Sequence, residues 1–325
     1  MIVGADDALF FHATTPWEDA QALLHAAGFS DGLPLVPPTE ARLAGMLEGV
    51  REPDAVLAML APMFGEVTAR AVAYCCVLAG CVPAELPVVL TAAVAASEDP
   101  FNLLGIATTT GTPTVAVLVH GPAVQALGMN SGTNCLGPGN RANACIGRAL
   151  ALVLRNIAGM RPESGDMATM GQPGKYAFAF AEGEHALLPP LHVRRGFSTT
   201  TSAVTVLGVS GTMEVLPEAG ADCAEMVLRP MLTAMRGALF ASSGGKARPG
   251  QEQVFLLPPE MADVLVKSGW GLEAVQRYLF DADPGMARTA ADIHPIITGG
   301  PGVKMTHPTL WMGGTQTVTR ALLRP

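Results

Sequence analysis

The apolar residues of the chain fall into helical spacings and into short continuous runs that glycine and proline interrupt. Continuous runs of this length are typical of strands that are buried on both faces of a sheet. They predict strands at 114–120, 202–209 and 254–257. The segments with helical spacing predict helices at 17–28, 39–49, 69–81, 84–97, 121–127, 221–235 and 260–268, and from about residue 140 onwards.

Strands that alternate with helices predict an α/β fold. We expect two α/β lobes with mostly buried strands and packed Ala-rich helices. Residues 161–176 are rich in glycine, proline and polar side chains, which favours a boundary there. The predicted domains are therefore 1–165 and 166–325. Segments 115–128 and 253–269 share the order strand, proline, helix, which indicates an internal duplication.

Composition narrows the possible partners. The chain has 325 residues and a net charge of −8, with 49% apolar and 15% charged residues. An acidic chain without a basic run is not typical of a nucleic-acid binder. So few charged residues favour a homo-oligomer that covers apolar surface. The N-terminus carries acidic residues where an export signal would carry basic ones, so we expect a cytoplasmic protein with reduced thiols.

Membrane association is not expected either. The longest apolar region, 69–97, is interrupted by Pro83, Glu85 and Pro87. Such interruptions are typical of two packed helices rather than of one membrane span.

The strongest chemical signal is the segment 131–156, in which a Gly-Pro-Gly turn leads into a long amphipathic helix. Amides of such a turn and the positive end of the helix form a seat for an anion. The predicted ligands of that anion are Gly137, Gly139, Asn140, Arg141, Asn143 and Arg148.

A cysteine lies on the same helix. Arg141, Cys145 and Arg148 share one helical stripe because their offsets are four and seven residues. Guanidinium groups and a helix N-terminus lower the pKa of a thiol, which makes Cys145 a candidate nucleophile. The alternative is that Cys145 is a small buried apolar residue.

Two further residues are candidates for catalysis. Cys81 lies between two predicted helices, where a helix N-terminus favours a thiolate, although packing alone also explains it. His192 lies close to Arg194 and Arg195 and is a candidate general acid or base. Its alternative is a hydrogen-bonded structural histidine.

No cofactor is assigned by the sequence. The glycine-rich loop at 298–305 presents Lys304 to an anion but lacks the full P-loop spacing, and no Rossmann fingerprint follows a strand. The histidines form no HxH or HExxH pattern, so no metal ligand is assigned. A zinc site assembled in space from separated histidines is the remaining alternative; the candidates are His185, His192, His294 and His307.

Several long segments resemble a poorly characterised bacterial family. They are DGLPLVPPTEARLAGML at 31–47, AGCVPAELPVVLTAA at 79–93, GPGNRANACIGRALALVLRN at 137–156, GQPGKY at 171–176, PLHVRRGF at 190–197 and GGPGVKM at 299–305. This family is associated with UGSC-type proteins, whose selenocysteine or cysteine motif is similar to that of the selenoprotein B component of glycine reductase. The chain departs from the pattern because it lacks a UGSC motif and has Met261 where a histidine is expected.

The resemblance implies redox or C–X bond-cleaving chemistry based on sulfur or selenium. We therefore expect an oxidoreductase-like or lyase-like enzyme for a small anionic metabolite, with Cys81 or Cys145 as the thiol and His192 as the proton carrier. The remaining predicted substrate ligands are Lys175, Arg195 and Lys304. Two alternatives stay open: a thiol-independent lyase or isomerase, and a non-catalytic ligand-binding subunit of a chalcogen-dependent reductase.

Overall fold

The computed structural model describes residues 8–185, 188–244 and 250–324. Its helices are α1 (Trp17–Ala26), α2 (Glu40–Met46), α3 (Ala69–Ala79), α4 (Leu86–Ala96), α5 (Leu103–Thr108), α6 (Ala123–Ala126), α7 (Arg141–Asn156), α8 (Leu191–Arg194), α9 (Ala224–Ser243), α10 (Pro259–Lys267) and α11 (Leu272–Ala282). Its strands are β1 (Ala58–Leu60), β2 (Gly65–Val67), β3 (Thr114–His120), β4 (Ala179–Ala181), β5 (Ala203–Val215), β6 (Gln253–Leu257), β7 (Ile293–Ile297), β8 (Met305–Leu310) and β9 (Val318–Ala321).

The centre of the molecule is a mixed sheet with the strand order β4-β3-β5-β8-β6-β7, in which β9 also pairs with β5. Strand β5 pairs with β3 and β9 along its first half and with β8 along its second half. The register of β5 shifts between Val209 and Gly211, where it begins to pair with β8. The sheet and its packed helices confirm the predicted α/β class.

Alternate residues of the strands contribute to different cores. In β3, Val115, Val117 and Val119 pack with residues of α3, α4 and α7. In β6, Phe255 and Leu257 pack with residues of α9, α10 and α11. The remaining strand residues form a shared inner core that includes Ala116, Leu118, Val254, Leu256 and Ile296. Helices therefore pack on one face of the sheet, and the side chains on its other face form one shared core.

The two edge strands of the sheet meet. The backbone amide of Gly183, just after β4, donates a hydrogen bond of 2.7 Å to the carbonyl of Ile297 at the end of β7. The hydroxyl of Thr298 donates to the carbonyl of Ala181 in β4 at 2.9 Å. These contacts place the segments that follow β4 and β7 side by side.

Helix α7 lies directly against β4. A Cβ atom on Gly147 would lie 2.7 Å from the amide nitrogen of Phe178 and 2.9 Å from that of Ala179. Only a residue without a side chain allows this approach, and the approach fixes the position of β4 and of the residues that follow it.

The strand pairing repeats itself, as an internal duplication would require. Strands β3 and β4 are parallel and β3 is antiparallel to β5, while β6 and β7 are parallel and β6 is antiparallel to β8. The amide of Glu182 donates to Val119 and the amide of Thr298 donates to Leu257, each at 3.0 Å. The residues that follow β4 and β7 are thus structurally equivalent.

Most of the predicted helices and strands are confirmed, with shifted ends. The side chain of Thr39 caps α2, and strand β3 has the predicted bounds. Strand β5 continues six residues beyond the predicted end at residue 209, and α9 continues past Pro230 to Ser243.

The predicted division at residue 165 stays a prediction. Strand β3 comes from the first predicted domain and pairs with β4 and β5 from the second. Among the helices of the described residues, none is long and apolar enough to cross a membrane.

His307 makes the stability of this fold dependent on pH. Its ring stacks on Phe255 at 4.3 Å between centroids, and its Nδ1 lies 2.8 Å from the carbonyl of Val254. Burial lowers the pKa of His307 from 6.5 to about 4, although the Val254 carbonyl opposes this shift. Neutral His307 therefore stabilises the folded state above pH 6.5, and that stabilisation is lost as the pH falls towards 4.

Between pH 6.5 and 4, we expect the free energy of unfolding to fall less in the His307→Gln variant than in the wild-type protein. The difference is roughly 3 kcal/mol for a pKa shift of this size. Urea unfolding of both proteins at several pH values measures it, and the difference between the two curves isolates His307 from other buried histidines. Parallel curves would contradict the prediction.

Candidate functional site

Three segments converge on one buried polar cluster. His120 is the last residue of β3, and Glu182 follows the last residue of β4. His192 lies on the short helix α8 between β4 and β5. All three side chains are buried. Strands β3 and β4 are parallel neighbours, so their carboxyl ends bring His120 and Glu182 together at a position where α/β proteins commonly bind ligands.

Hydrogen bonds hold two members of the cluster. Nδ1 of His120 lies 2.6 Å from Oε2 of Glu182, and Nε2 of His120 lies 2.7 Å from Oγ1 of Thr205. The Thr205 hydroxyl continues to Thr319 at 2.8 Å. The amide of Leu191 donates to the same oxygen of Glu182 at 2.9 Å. The His120 ring therefore has a fixed orientation.

His192 differs from its neighbours because its ring nitrogens lack good partners. The residue is 1% exposed, and among the described residues neither ring nitrogen makes a hydrogen bond of normal geometry. Its ring centroid lies 5.2 Å from that of His120. Burial and the neighbouring His120 lower its pKa, while Glu182 and the backbone of Ser198 oppose this. His192 is therefore neutral near pH 7, with an available lone pair.

A cavity of about 690 Å³ adjoins the cluster. Glu182 and His192 form part of its wall, together with Gln125, Ser131 and Glu184. The described residues that line it include two carboxylates and neither lysine nor arginine. The cavity can hold a small molecule. Arg194, whose Nη2 lies 3.8 Å from Oε1 of Glu182, offsets part of the negative charge of the wall, and the charge that remains favours an uncharged or cationic molecule.

The cluster has the chemistry of a metal site. Ligand atoms of His120, Glu182 and His192 all lie within 4.8 Å of one another, and this is the one such group found among the described residues. Imidazole nitrogen and carboxylate oxygen are both zinc ligands.

The predicted thiol activation is wrong in direction. The pKa of Cys145 is raised by burial, by Cys81 and by Glu85, and Arg141 does not overcome these effects. The pKa of Cys81 is raised by its hydrogen bond with Cys76, by burial and by Glu85. Burial is the largest cause for Cys145, and the hydrogen bond with Cys76 is the largest for Cys81. The fully buried Glu85, which binds Arg141 through two hydrogen bonds of 2.7 and 3.2 Å, contributes to both.

The other predicted cationic ligands also have carboxylate partners within the chain. Their closest nitrogen–oxygen distances are 2.9 Å for Arg148–Asp31, 2.6 Å for Lys175–Asp166, 2.8 Å for Arg195–Glu252 and 3.1 Å for Lys304–Glu214. The partners of Arg148, Arg195 and Lys304 are distant in sequence, so the pattern of basic residues alone did not reveal them. Asp166 lies nine residues before Lys175. Anion binding by these residues stays a prediction.

The Gly-Pro-Gly turn begins α7 as expected. The side chain of Asn140 caps the helix by accepting from the amide of Asn143 at 2.9 Å. The buried side chain of Asn143 bonds both the amide and the carbonyl of Asn130, which is a structural role. Gly139 has a φ of +119° and open space around it.

A second, smaller cavity joins the two glycine-rich loops. It has a volume of about 340 Å³, and Gly137 and Lys304 both line it. Cys135 lies in its wall, where its Sγ lies 3.4 Å from the Thr298 hydroxyl oxygen. The structure thus brings Gly137 and Lys304 together, but places neither of them in the wall of the larger cavity.

Arg195 belongs to a buried network that anchors α8. Its Nη2 donates to Oε1 of Glu252 at 2.8 Å and to the hydroxyl of Thr317 at 2.7 Å. Nε2 of His294 lies 3.2 Å from the same Glu252 oxygen. Arg195 directly follows α8, and His192 is the second residue of that helix. The network therefore holds His192 at the cavity wall.

No protein-family model and no curated protein matches the chain. The resemblance to the UGSC-associated family therefore stays a prediction.

His120, Glu182 and Thr205 were missed as site residues. One sequence signal for His120 was available, because it is a polar residue at the carboxyl end of a buried strand. Glu182 follows a strand of only three residues, which gives no clear pattern. Within the cluster, His120 contacts Glu182, 62 residues away, and Thr205, 85 residues away. The spacing of residues within one segment cannot predict such contacts.

Proposed function

We propose that the chain is a thiol-independent enzyme that carries out proton-transfer chemistry, of the lyase or isomerase type, at the cluster of His120, Glu182 and His192. The observation that carries the proposal is the buried His192 ring, whose nitrogens lack hydrogen bonds of normal geometry although it lies in the wall of a large cavity. Buried polar groups are almost always satisfied within a fold. An unsatisfied imidazole at a cavity wall is therefore expected to bind something that enters the cavity.

The surroundings of His192 suit a proton acceptor. A neutral imidazole with a free lone pair takes a proton from a substrate near pH 7. The adjacent carboxylate of Glu182 stabilises the imidazolium that results, as its effect on the pKa of His192 indicates. His120 bonds Glu182 at 2.6 Å and so positions the carboxylate.

The proposed substrate is a small uncharged or cationic polar molecule, not the anionic metabolite expected from the sequence. Glu182 and Glu184 contribute negative charge to the described cavity wall, whose lining residues include neither lysine nor arginine. The guanidinium of Arg194, 3.8 Å from Oε1 of Glu182, offsets part of that charge. An anion would be repelled there. Hydroxyl and amide groups of Ser131, Thr199 and Gln125 in the wall provide hydrogen bonds to hydroxyl, amide or amine groups.

Cysteine catalysis is less well supported by the geometry. A catalytic thiol requires a lowered pKa, and the pKa values of Cys81 and Cys145 are raised. Neither residue is among the described residues that line the larger cavity. The thiol-independent alternative is therefore preferred to the thiol-assisted one.

A substrate screen with matched variants tests the proposal. The purified chain is incubated with one panel of small amines, amides and polyols and with another of carboxylates and phosphates, and proton NMR follows their conversion. We expect turnover in the first panel, and we expect it to persist in the Cys81→Ser and Cys145→Ser variants. Turnover that is lost in either cysteine variant, or binding without turnover in both panels, would overturn the proposal.

A further inference from the structure

We propose that His120, Glu182 and His192 together bind one divalent transition-metal ion of the Zn(II) class. This inference uses the same cluster as the proposed function but gives His192 a different task. A bound ion occupies the lone pair through which His192 would accept a proton, so the two assignments describe the metal-loaded and the metal-free chain. Two imidazoles and one carboxylate are a ligand set of catalytic zinc sites. Two nitrogen donors also favour such an ion over Mg²⁺ or Ca²⁺, which prefer oxygen ligands only.

The distances within the cluster fit an ion of this size after a small adjustment. Ligand atoms about 2.0–2.2 Å from a tetrahedral ion lie roughly 3.3 Å apart. The three ligand atoms lie within 4.8 Å of one another, so side-chain movements of about an ångström bring them to these distances. His192 can move without losing a hydrogen bond of normal geometry, because its ring nitrogens make none among the described residues.

The hydrogen-bond partners of His120 also fit a metal site. Metal-bound histidines typically donate their second ring nitrogen to a fixed oxygen. Nε2 of His120 lies 2.7 Å from the Thr205 hydroxyl, which lies 2.8 Å from that of Thr319. In the metal-bound form, neutral His120 carries its one ring proton on Nε2 and donates it to Thr205, so the Nδ1 lone pair faces the ion beside the Glu182 carboxylate. The proton that lay between Nδ1 and Glu182 leaves to solvent, and Nε2 takes up one proton from solvent.

The cavity leaves a fourth ligand position open. Glu182 and His192 both lie in the cavity wall, whereas Thr205 lies behind His120. A site with three protein ligands and one open position is typical of catalytic rather than structural zinc. The ion would therefore contact a substrate held in the cavity.

Metal binding by the full chain tests the proposal. The protein is treated with a chelator, dialysed, and titrated with Co(II) and with Zn(II), while visible absorption and elemental analysis measure geometry and stoichiometry. We expect one ion per chain and a tetrahedral Co(II) spectrum. The His192→Gln variant should lose at least 100-fold in affinity, and the Thr205→Val variant should lose about 10–100-fold.

The matched control is His25→Gln, because His25 is an exposed histidine on α1, outside the cluster. Unchanged binding in that variant supports the assignment. Wild-type protein that binds no ion, or equal binding in the His192→Gln and wild-type proteins, overturns it. Wild-type protein that converts a compound but binds no ion would overturn the metal site and leave the proposed function intact. Wild-type protein that binds the ion but converts no compound would overturn the proposed function and leave the metal site intact.

Discussion

Replacing Glu252 by alanine is expected to lower the free energy of unfolding by about 3–5 kcal/mol, as the loss of one partner of a buried ion pair does. Glu252 is 4% exposed. Its carboxylate accepts from Arg195 at 2.8 Å and from the backbone amide of Thr317. The variant leaves a charge and a buried donor without their acceptor. Urea unfolding followed by circular dichroism measures the change.

The pKa of Glu252 supports the same conclusion. Burial by itself raises that pKa, but the hydrogen bond and the charge of His294, followed by the bond from Thr317 and the charge of Arg195, outweigh burial and lower it to about 2. His294 is itself kept neutral by burial, so Arg195 supplies the positive charge near pH 7. The contribution of Glu252 is present above pH 4.5 and is lost as the pH falls towards 2.

An exposed ion pair provides the matched control. Glu218 also binds an arginine through two oxygens, at 2.6 and 2.5 Å from Arg229, but both side chains are exposed to solvent. Exposed pairs contribute little to stability, so Glu218→Ala should leave the unfolding midpoint unchanged. Equal effects of the two substitutions would show that the Glu252 network is not a buried ionic anchor.

Replacing His192 by glutamine is expected to lower turnover by about 10²–10⁴-fold, which is the usual contribution of a positioned proton carrier. The fold should be unaffected, because the ring nitrogens make no hydrogen bond of normal geometry among the described residues. Steady-state kinetics on a compound that the chain converts measures the loss, and the melting temperature reports on the fold.

The result of the His192 substitution is interpretable only beside a control. His25→Gln, on the exposed surface of α1, should keep full turnover. Full turnover in the His192→Gln variant would place the chemistry elsewhere in the molecule. A large fall in melting temperature would instead show that His192 is a packing residue, which contradicts its assigned role.

The elements that the sequence predicts well are those with strong local signals. Strand β3 is a continuous apolar run, and Asn140 begins α7 as its cap. The strands that the sequence analysis missed have weak local sequence patterns, for physical reasons. Strand β4 has three residues, and β7 and β8 contain Pro295 and Pro308, which local rules exclude from strand interiors. Their strand conformation follows from tertiary packing.

The candidate site depends even more on tertiary contacts. The stripe of Arg141, Cys145 and Arg148 is real, but local spacing cannot show that Glu85 and Asp31 neutralise the two arginines. A thiol pKa follows from the net charge and burial around it, and both are properties of the folded chain.

The repeated strand arrangement has an evolutionary consequence. A duplicated segment begins as two identical copies, each of which then changes independently. The backbone bonds of Glu182 and Thr298 make these residues counterparts, and the preceding strand register makes Pro258 the counterpart of His120. Proline and threonine carry no charge near pH 7. If the two strand units arose by the predicted duplication, the ionisable pair was therefore retained or acquired only in the copy that contains β3 and β4.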